Sequence, residues 1–135
     1  MLKLENGLGQ VSVIVLAAGV GSRLKPFTDR LPKCLMPIQG APLLQYWLDY
    51  LLSLNLCRIA VNLHHHPQQV KKFLHRDPYK HTIKMFYERD LLGTAGTIRK
   101  LDSWLEDGPL LVIHADNWCG ANLEEFINYH INEYM

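Results

Sequence analysis

The residues best suited to chemistry lie in one segment near the start of the chain. It reads Leu16-Ala-Ala-Gly-Val-Gly-Ser-Arg-Leu-Lys-Pro-Phe-Thr and continues to Ile38. Small residues here let a ligand approach the backbone, whose N–H groups can then bind phosphate oxygens. They are Ala17, Ala18, Gly19 and Gly21. Arg23 and Lys33 add positive charge, so the segment is typical of a polyphosphate site, although a glycine-rich turn with solvated charges is the alternative.

Two other nucleotide-binding motifs do not match this segment. No GxxxxGK[ST] sequence occurs in the chain, which excludes a P-loop. Gly19 and Gly21 begin a GxGxxG pattern, but Leu24 stands where the third glycine belongs. Asn62, rather than an acidic residue, follows the second apolar run. A dinucleotide site is therefore disfavoured.

The pattern LAAGxGSRLxPxT, followed by PKxLxPI, resembles the signature of the sugar-phosphate nucleotidyltransferases, and in particular of enzymes of the mannose-1-phosphate guanylyltransferase type. This family makes GDP-mannose, UDP-glucose, dTDP-glucose and related sugar donors. Three later segments resemble the family in the same order. They are Val61-Asn62-Leu63-His64-His65, Glu88 with Leu92-Gly93-Thr94-Ala95-Gly96, and Val112-Ile113-His114-Ala115-Asp116.

The resemblance implies a reaction in which a sugar-phosphate oxygen attacks the α-phosphorus of a nucleoside triphosphate in line and pyrophosphate leaves. Such a reaction needs positioned substrates and neutralised charge rather than covalent help. By resemblance, Arg23 would stabilise the leaving pyrophosphate, and Lys33 the α-phosphate or the transition state. Asp116 would bind Mg²⁺, which prefers carboxylate and phosphate oxygens. The expected partners are an NTP and a sugar 1-phosphate.

The resemblance also implies a set of nucleotide-binding residues. Gly19, Gly21 and Ser22 would hold the phosphates through backbone N–H groups. The loop of Glu88, Gly93 and Thr94 would hold the base and ribose. The complete set is Leu16, Ala17, Ala18, Gly19, Gly21, Ser22, Asn62, Glu88, Gly93 and Thr94.

Ordinary structural roles remain as alternatives for several of these residues. Arg23 could form a surface ion pair, because arginine is usually exposed. Asp116 could cap the last helix and Thr94 the third. Glu88 could be a charge at the end of a strand.

Glu88 also bears on the choice of base. It stands five residues before Gly93, where family members place a residue facing the base edge. A carboxylate only accepts hydrogen bonds, and guanine presents two donors, N1–H and the N2 amino group. GTP is therefore the predicted nucleotide, with UTP or dTTP left open. The alternative is that Glu88 faces solvent or holds a backbone N–H, and that the main chain around Ala17 and Gly93 reads the base.

Two further groups of residues are interpreted as structural. His64, His65 and His66 are adjacent, and adjacent side chains in a strand or loop point in different directions, which disfavours a metal site. Trp47, Trp104 and Trp118 have no accompanying basic stripe and are expected in the core or at its rim rather than on a surface for RNA.

The spacing of apolar residues predicts the elements that position these groups. Continuous apolar runs indicate buried strands, and apolar residues at helical spacing indicate helices. The predicted strands are 11–17, 57–62, 82–88 and 109–115, and the predicted helices begin at Pro42, Pro67, Thr94 and Asn122. The third of these helices is predicted to run from Thr94 to Leu105. This alternation favours a three-layer α/β fold with a parallel sheet in the order 3-2-1-4, whose ligands bind at the carboxyl ends of the strands.

Composition limits the remaining possibilities. The chain has 135 residues, of which 48% are apolar and 20% charged, and this predicts one domain over 1–135. It contains neither a long apolar run nor a signal-peptide pattern, so we expect a cytoplasmic protein without a membrane partner. The net charge is +1, and four basic residues, Arg23, Lys25, Arg30 and Lys33, lie close together in one loop, which favours a polyphosphate over nucleic acid. Three widely separated cysteines favour free thiols.

The second half of the family's catalytic domain has no counterpart here, including its second metal-binding Asp, its Lys for the sugar phosphate and most sugar contacts. We therefore expect a truncated fold, the N-terminal nucleotide-binding half of a nucleotidyltransferase domain. Truncation would leave a sheet edge unpaired and the last helix partly uncovered, at Leu123, Phe126, Ile127 and Ile131, which predicts self-association.

Two alternative functions stay open. The chain could be a non-catalytic nucleotide-binding fragment or a regulatory homologue. A GT-A glycosyltransferase would need a DxD-like acid pair, and His114-Ala115-Asp116 lacks the first acid. The sugar phosphate cannot be read from this sequence, and mannose, N-acetylmuramate, glucose and phosphocholine derivatives remain open.

Overall fold

The computed structural model describes residues 7–134, in which a parallel sheet is flanked by helices. The elements in chain order are β1 (Ser12–Leu16), β2 (Pro37–Ile38), β3 (Ala41–Pro42), α1 (Leu43–Ser53), β4 (Ile59–Leu63), α2 (Pro67–Leu74), β5 (Ile83–Tyr87), α3 (Gly93–Lys100), β6 (Leu110–His114) and α4 (Leu123–Tyr134).

The four long strands are parallel and lie in the order β5-β4-β1-β6. These are the third, second, first and fourth predicted strands, so the predicted order 3-2-1-4 is confirmed. β1 lies inside the sheet, where Ile14 pairs with Ala60 on one side and with Val112 on the other. The continuous apolar run predicts this position, because a strand covered on both faces has no polar face to show.

Helices cover both faces of the sheet, but unequally. α1, α2 and α4 pack on the face that carries Val13 and Val15, together with Ile59, Val61 and Leu63 of β4. On the opposite face, Ile14 and Ala60 pack against Leu101 and Ile98, from the α3 region. The larger core therefore lies on one side of the sheet, and the cleft described below opens beside α3.

The third helix is shorter than predicted. The sequence predicts it to Leu105, whereas α3 ends at Lys100 and turns follow. Arg58 explains the difference, because its guanidinium donates a hydrogen bond to the Trp104 carbonyl and lies 4.7 Å from the centroid of the Trp104 ring. Trp104 is used in this contact rather than in a further helical turn, so tertiary packing overrides local propensity.

A small hairpin, not predicted from the sequence, precedes α1. β2 and β3 pair antiparallel around Gln39 and Gly40, which have φ of 49° and 88°. Positive φ at both central residues is the geometry of a two-residue hairpin turn. Each strand has only two residues and contains a proline, so no alternating pattern could reveal it.

The sequence predicts an unpaired sheet edge and a partly uncovered last helix, and both concern the region around β6. Within residues 7–134, β6 pairs only with β1. Asn122 caps α4, accepting a hydrogen bond from the Glu125 N–H at 3.2 Å. On α4, Leu123 and Ile127 are buried, whereas Phe126 is 59% exposed. The apolar face of the helix is therefore partly uncovered, as expected. None of the helices described is long and apolar enough to cross a bilayer.

The three cysteines should differ sharply in reactivity. Burial raises the pKa of the Cys34 thiol to about 12, and the nearby Asp116 carboxylate adds to this effect against an opposing backbone hydrogen bond. Cys57 and Cys119 are exposed. We expect a disulfide-exchange reagent at pH 8 to label Cys57 and Cys119 rapidly and Cys34 only after denaturation. Rapid labelling of Cys34 in the folded protein would contradict this packing.

Self-association remains a prediction, and the outer edge of β6 is where we expect it. An unpaired edge presents backbone N–H and C=O groups to a second chain, and Phe126 adds exposed apolar surface beside it. Light scattering should show a concentration-dependent rise in mass that Phe126→Glu reduces. Phe27→Glu is the control, because Phe27 is 66% exposed but belongs to a distant loop. A monomeric wild type at high concentration would contradict the prediction.

Candidate active site

A cleft of about 220 Å³ opens at the carboxyl ends of the parallel strands. This is where ligands bind in open α/β sheets. The loops after β1, β5 and β6 contribute to it, together with Asn62 of β4. The lining residues are Leu16, Ala17, Ala18, Gly19, Lys33, Cys34, Asn62, Glu88, Leu91, Gly93, Thr94, Thr97, His114, Ala115 and Asp116.

Most of the residues predicted to form a site line this one cleft, although they come from four separate motifs. Gly21, Ser22 and Arg23 are the exceptions, because they lie outside the cleft lining. Ser22 and Arg23 are exposed on a short 3-10 turn that runs from Ser22 to Leu24. Arg23 makes no ion pair with any residue in 7–134. The surface ion pair considered as an alternative for Arg23 is therefore absent from the part of the chain described.

Asn62, at the end of β4, connects the cleft walls. Its Oδ1 accepts hydrogen bonds from the N–H groups of Ala17 and Ala18, at 2.6 and 3.1 Å. Its Nδ2 donates to Glu88 Oε1 at 3.1 Å. Backbone N–H groups can only donate and a carboxylate can only accept, so one orientation of the amide satisfies both sides.

Glu88 is buried, with 1% of its surface exposed, and its carboxylate bonds within the protein. Oε1 accepts hydrogen bonds from the Thr97 hydroxyl as well as from Asn62. Oε2 accepts one from the Leu92 N–H at 3.3 Å. The role left open as an alternative, a carboxylate that holds a backbone N–H, is therefore present. Base recognition by Glu88 stays a prediction.

These contacts change the expectation for Ala17 and Ala18. Their N–H groups were expected to bind phosphate, but both donate to Asn62 in this structure. The physical reason is burial: the two alanines are at most 7% exposed, and buried N–H groups take an internal partner. Phosphate contacts through the backbone would then begin at Gly19, which is exposed and lines the cleft.

Lys33 and Asp116 form an ion pair across the mouth of the cleft. Lys33 Nζ lies 2.5 Å from Asp116 Oδ2, although 83 residues separate them in the sequence. Burial raises the pKa of Asp116, but the hydrogen bond and charge of Lys33 outweigh burial, and the pKa is lowered overall. Asp116 lies well before α4, which Asn122 caps, so the capping alternative for Asp116 does not apply. Thr94 likewise makes no side-chain cap for α3.

The side chain of Asp116 can be compared with the ligands that Mg²⁺, the expected cation, prefers. Within 7–134, no group of three or more His, Cys, Asp or Glu side chains is arranged to hold an ion. Asp116 therefore offers a single carboxylate rather than a protein cage. Mg²⁺ is commonly bound by one or two carboxylates together with substrate phosphates and water. The donor present fits a nucleotide-bound Mg²⁺ better than a structural metal.

The loop between β1 and β2 is folded tightly around Gly21. Gly21 has φ of 66°, and a Cβ placed there would lie 2.8 Å from Cγ2 of Thr28. Thr28 is buried, and its hydroxyl donates to the Gly21 carbonyl at 2.8 Å. Glycine is required here both by the left-handed backbone and by the lack of space.

Thr97 is the most informative residue that sequence reasoning missed. It is 1% exposed and joins Asn62 and Glu88 in the buried network. A signal was available, because Thr97 follows Thr94 by one helical turn and so lies on the same face of α3. Other lining residues not assigned to the site are Cys34, Leu91, His114 and Ala115.

Comparison with known proteins places this cleft in a family context. The mannose-1-phosphate guanyltransferase of Hypocrea jecorina is 27% identical over 121 residues, which cover 87% of this chain and 33% of that protein. The bifunctional protein GlmU of Thermus thermophilus is 34% identical over 105 residues, covering 76% of this chain and 22% of GlmU. The chain thus spans about a third or less of the curated relatives it matches.

A solved structure is also similar. HddC from Yersinia pseudotuberculosis, complexed with GMP-PN, superposes with a TM-score of 0.76 at 27% identity, covering 90% of this chain and 54% of HddC. The model of the family described as nucleotidyl transferase matches residues 12–135. Because that match includes every strand and helix of the sheet and its flanking layers, the chain belongs to the nucleotidyl transferase family.

Proposed function

We propose that this chain forms the nucleotide-binding half of an enzyme that transfers a nucleotidyl group from an NTP to a sugar 1-phosphate and releases pyrophosphate. The observation that carries the proposal is the meeting of Lys33 and Asp116 at the mouth of one cleft. They come from the first and last of the four motifs, and the fold brings their charged atoms to 2.5 Å. Family membership supports nucleotidyl transfer to a sugar 1-phosphate in general terms.

Charge neutralisation is the task for which these residues are suited. A bond forms between the sugar-phosphate oxygen and the α-phosphorus, and the bond from that phosphorus to the bridging oxygen of pyrophosphate breaks. Lys33 would hold the α-phosphate, because a positioned ammonium stabilises charge that develops in the transition state. Arg23 is exposed and unpaired with any acid in 7–134, so its side chain is available to the leaving pyrophosphate.

Mg²⁺ is the proposed cofactor, and Asp116 is the residue that would hold it. When bound, the ion would neutralise phosphate charge and help to align the triphosphate. Lys33 and Asp116 neutralise each other in this structure. For both to act on a nucleotide, their ion pair must open, with Lys33 turning to a phosphate.

A guanine nucleotide is the proposed substrate. The names of relatives support it, since several are mannose-1-phosphate guanyltransferases. Glu88 leaves room for one base N–H, a donor that guanine, uracil and thymine all present. Its Oε2 accepts a single hydrogen bond, at 3.3 Å, and a carboxylate oxygen can accept two. A base N–H could therefore be received there without breaking the bonds at Oε1.

The second candidate is a nucleotide-binding polypeptide that turns nothing over. One observation favours it: in the part of the chain described, no group of three or more His, Cys, Asp or Glu side chains is arranged to hold a metal ion. Pyrophosphate release from Mg–GTP, measured with a panel of sugar 1-phosphates, separates the two candidates. Release supports the enzyme, whereas nucleotide binding without release supports the binding protein. If no NTP binds, both candidates are wrong.

Lys33 should matter to nucleotide binding far more than to folding. We expect Lys33→Ala to weaken Mg–GTP binding about tenfold or more, and any pyrophosphate release to fall roughly 10²–10³-fold. The free energy of unfolding should change by less than about 1 kcal/mol, because the ion pair with Asp116 is partly exposed. Calorimetric titration and chemical denaturation measure the two effects.

Lys25→Ala is the control for Lys33→Ala, because Lys25 lies in the same loop and its pair with Asp29 is exposed. It should leave both measurements near wild type. Equal losses of affinity in the two variants would mean that loop charge, rather than the position of Lys33, attracts the nucleotide.

The preference for guanine is tested at Glu88. Calorimetric titration with GTP, UTP, dTTP and ATP in the presence of Mg²⁺ should rank GTP first. Glu88→Gln should reduce that preference. The amide Nε2 of the glutamine would be a donor, and it would face two other donors, the Leu92 N–H and any base N–H. A higher affinity for UTP or dTTP, or the same ranking in the variant, would refute base recognition by Glu88.

A further inference from the structure

The three adjacent histidines after β4, His64, His65 and His66, contact two different backbone carbonyls. Nδ1 of His64 lies 2.9 Å from the Glu88 carbonyl. His65 and His66 turn the other way, and both rings meet the carbonyl of Thr28, with Nε2 to oxygen distances of 2.7 and 3.2 Å. Thr28 belongs to the loop that carries Gly21 and Arg23. Adjacent histidines were expected to point in different directions, and the pair formed by His65 and His66 is the departure from that expectation.

Two imidazoles can share one carbonyl, because its oxygen has two lone pairs. Each ring must carry a proton on Nε2, and both the Nε2–H tautomer and the imidazolium provide one. The rings lie 4.1 Å apart between centroids. This arrangement fixes the Thr28 peptide from the side of β4 and α2.

The backbone conformation of His66 indicates that the contact with the Thr28 carbonyl is maintained at a cost in conformational energy. His66 has φ of 47° and ψ of 52°, a left-handed conformation that is uncommon for residues other than glycine. The following residue is Pro67, which itself favours an extended conformation for the residue before it. Strained backbone of this kind persists only where surrounding contacts over-determine it, and it concentrates at functional sites.

The contact at Thr28 continues to the glycine-rich turn. The Thr28 hydroxyl donates to the Gly21 carbonyl, so the histidines, Thr28 and Gly21 form one chain of hydrogen bonds. Gln69 adds a second tie, because its Nε2 donates to the Arg30 carbonyl at 2.8 Å. The segment after β4 therefore holds the loop from 21 to 30 at two carbonyls.

We infer that His65 and His66 are positioning residues that hold the loop carrying Gly21 and Arg23 in the shape required for a polyphosphate. Neither ring needs to touch the ligand, and they act through the Thr28 peptide. The inference rests on the proposed function for the identity of the ligand. The positioning itself is a property of the loop, and it can be measured without any nucleotide.

Proteolysis of the free protein tests the positioning. Trypsin can cut this loop after Arg23 and Arg30, but not after Lys25, which Pro26 follows. The double substitution His65→Leu with His66→Leu removes both donors, and we expect cleavage after Arg23 and Arg30 to become about tenfold faster. His75→Leu is the matched control, because His75 is exposed at the end of α2, and it should leave the rate unchanged.

Rescue distinguishes a donor from a space-filling ring. His65→Gln with His66→Gln places an amide N–H near the position of each Nε2, and it should restore slow cleavage. If the Leu and Gln pairs are cut at the same rate, or if the Leu pair is cut like wild type, the inference is wrong. If the Leu pair does not fold, the single substitutions His65→Leu and His65→Gln make the same comparison, and equal rates again overturn the inference.

Nucleotide affinity provides the second readout. We expect the Leu pair to weaken Mg–GTP binding about tenfold and the Gln pair to bind like wild type, with similar melting temperatures for both pairs. An unchanged affinity in the Leu pair, despite faster cleavage, would overturn the link from loop shape to polyphosphate. If wild type binds no NTP, the proposed function fails, whereas the proteolysis comparison still decides the positioning role.

Discussion

The buried amide of Asn62 is the constraint on which the cleft depends. It joins two backbone donors after β1 to the carboxylate after β5, and Thr97 of α3 completes the arrangement. Every member of the network is nearly inaccessible to water, so these groups depend on one another for hydrogen bonds. A buried donor left without a partner costs about 1–3 kcal/mol, so these hydrogen bonds hold the loops after β1 and β5 to β4 and α3. The strand order follows from apolar packing, but the shape of the cleft follows from this network.

The fold was largely predictable because its signals are local. Apolar runs mark the strands, and the right-handedness of βαβ connections limits the orders in which they can lie. The two errors arose where local signals are weak or overridden. The β2–β3 hairpin has strands of only two residues, and the end of α3 is decided by Arg58, more than forty positions away along the chain. Neither feature leaves a periodic pattern in the sequence.

Most residues of the candidate site could be predicted from the sequence, but the hydrogen bonds between them could not. Residues at the carboxyl ends of parallel strands must share one edge of the sheet, so the motifs were bound to meet. Which groups bond to each other could not be read from the sequence, because the partners of Asn62 are separated from it by 26 to 45 positions. The role of Ala17 and Ala18 changed for this reason. His65 and His66 are a further case, since their partner lies in a loop that precedes them by almost forty residues.

The ion pair between Lys33 and Asp116 makes each residue the counter-ion of the other. A cation that binds Asp116 releases Lys33, and an anion that binds Lys33 releases Asp116. The free energy needed to separate the pair is therefore required only once, although the separation frees a binding group for each of two ligands of opposite charge. Thermodynamic linkage requires this coupling to be reciprocal, so each ligand strengthens the binding of the other by the same factor. If Asp116 holds a cation and Lys33 a phosphate, as proposed, this ion pair would favour joint occupancy by both ligands over occupancy by either alone.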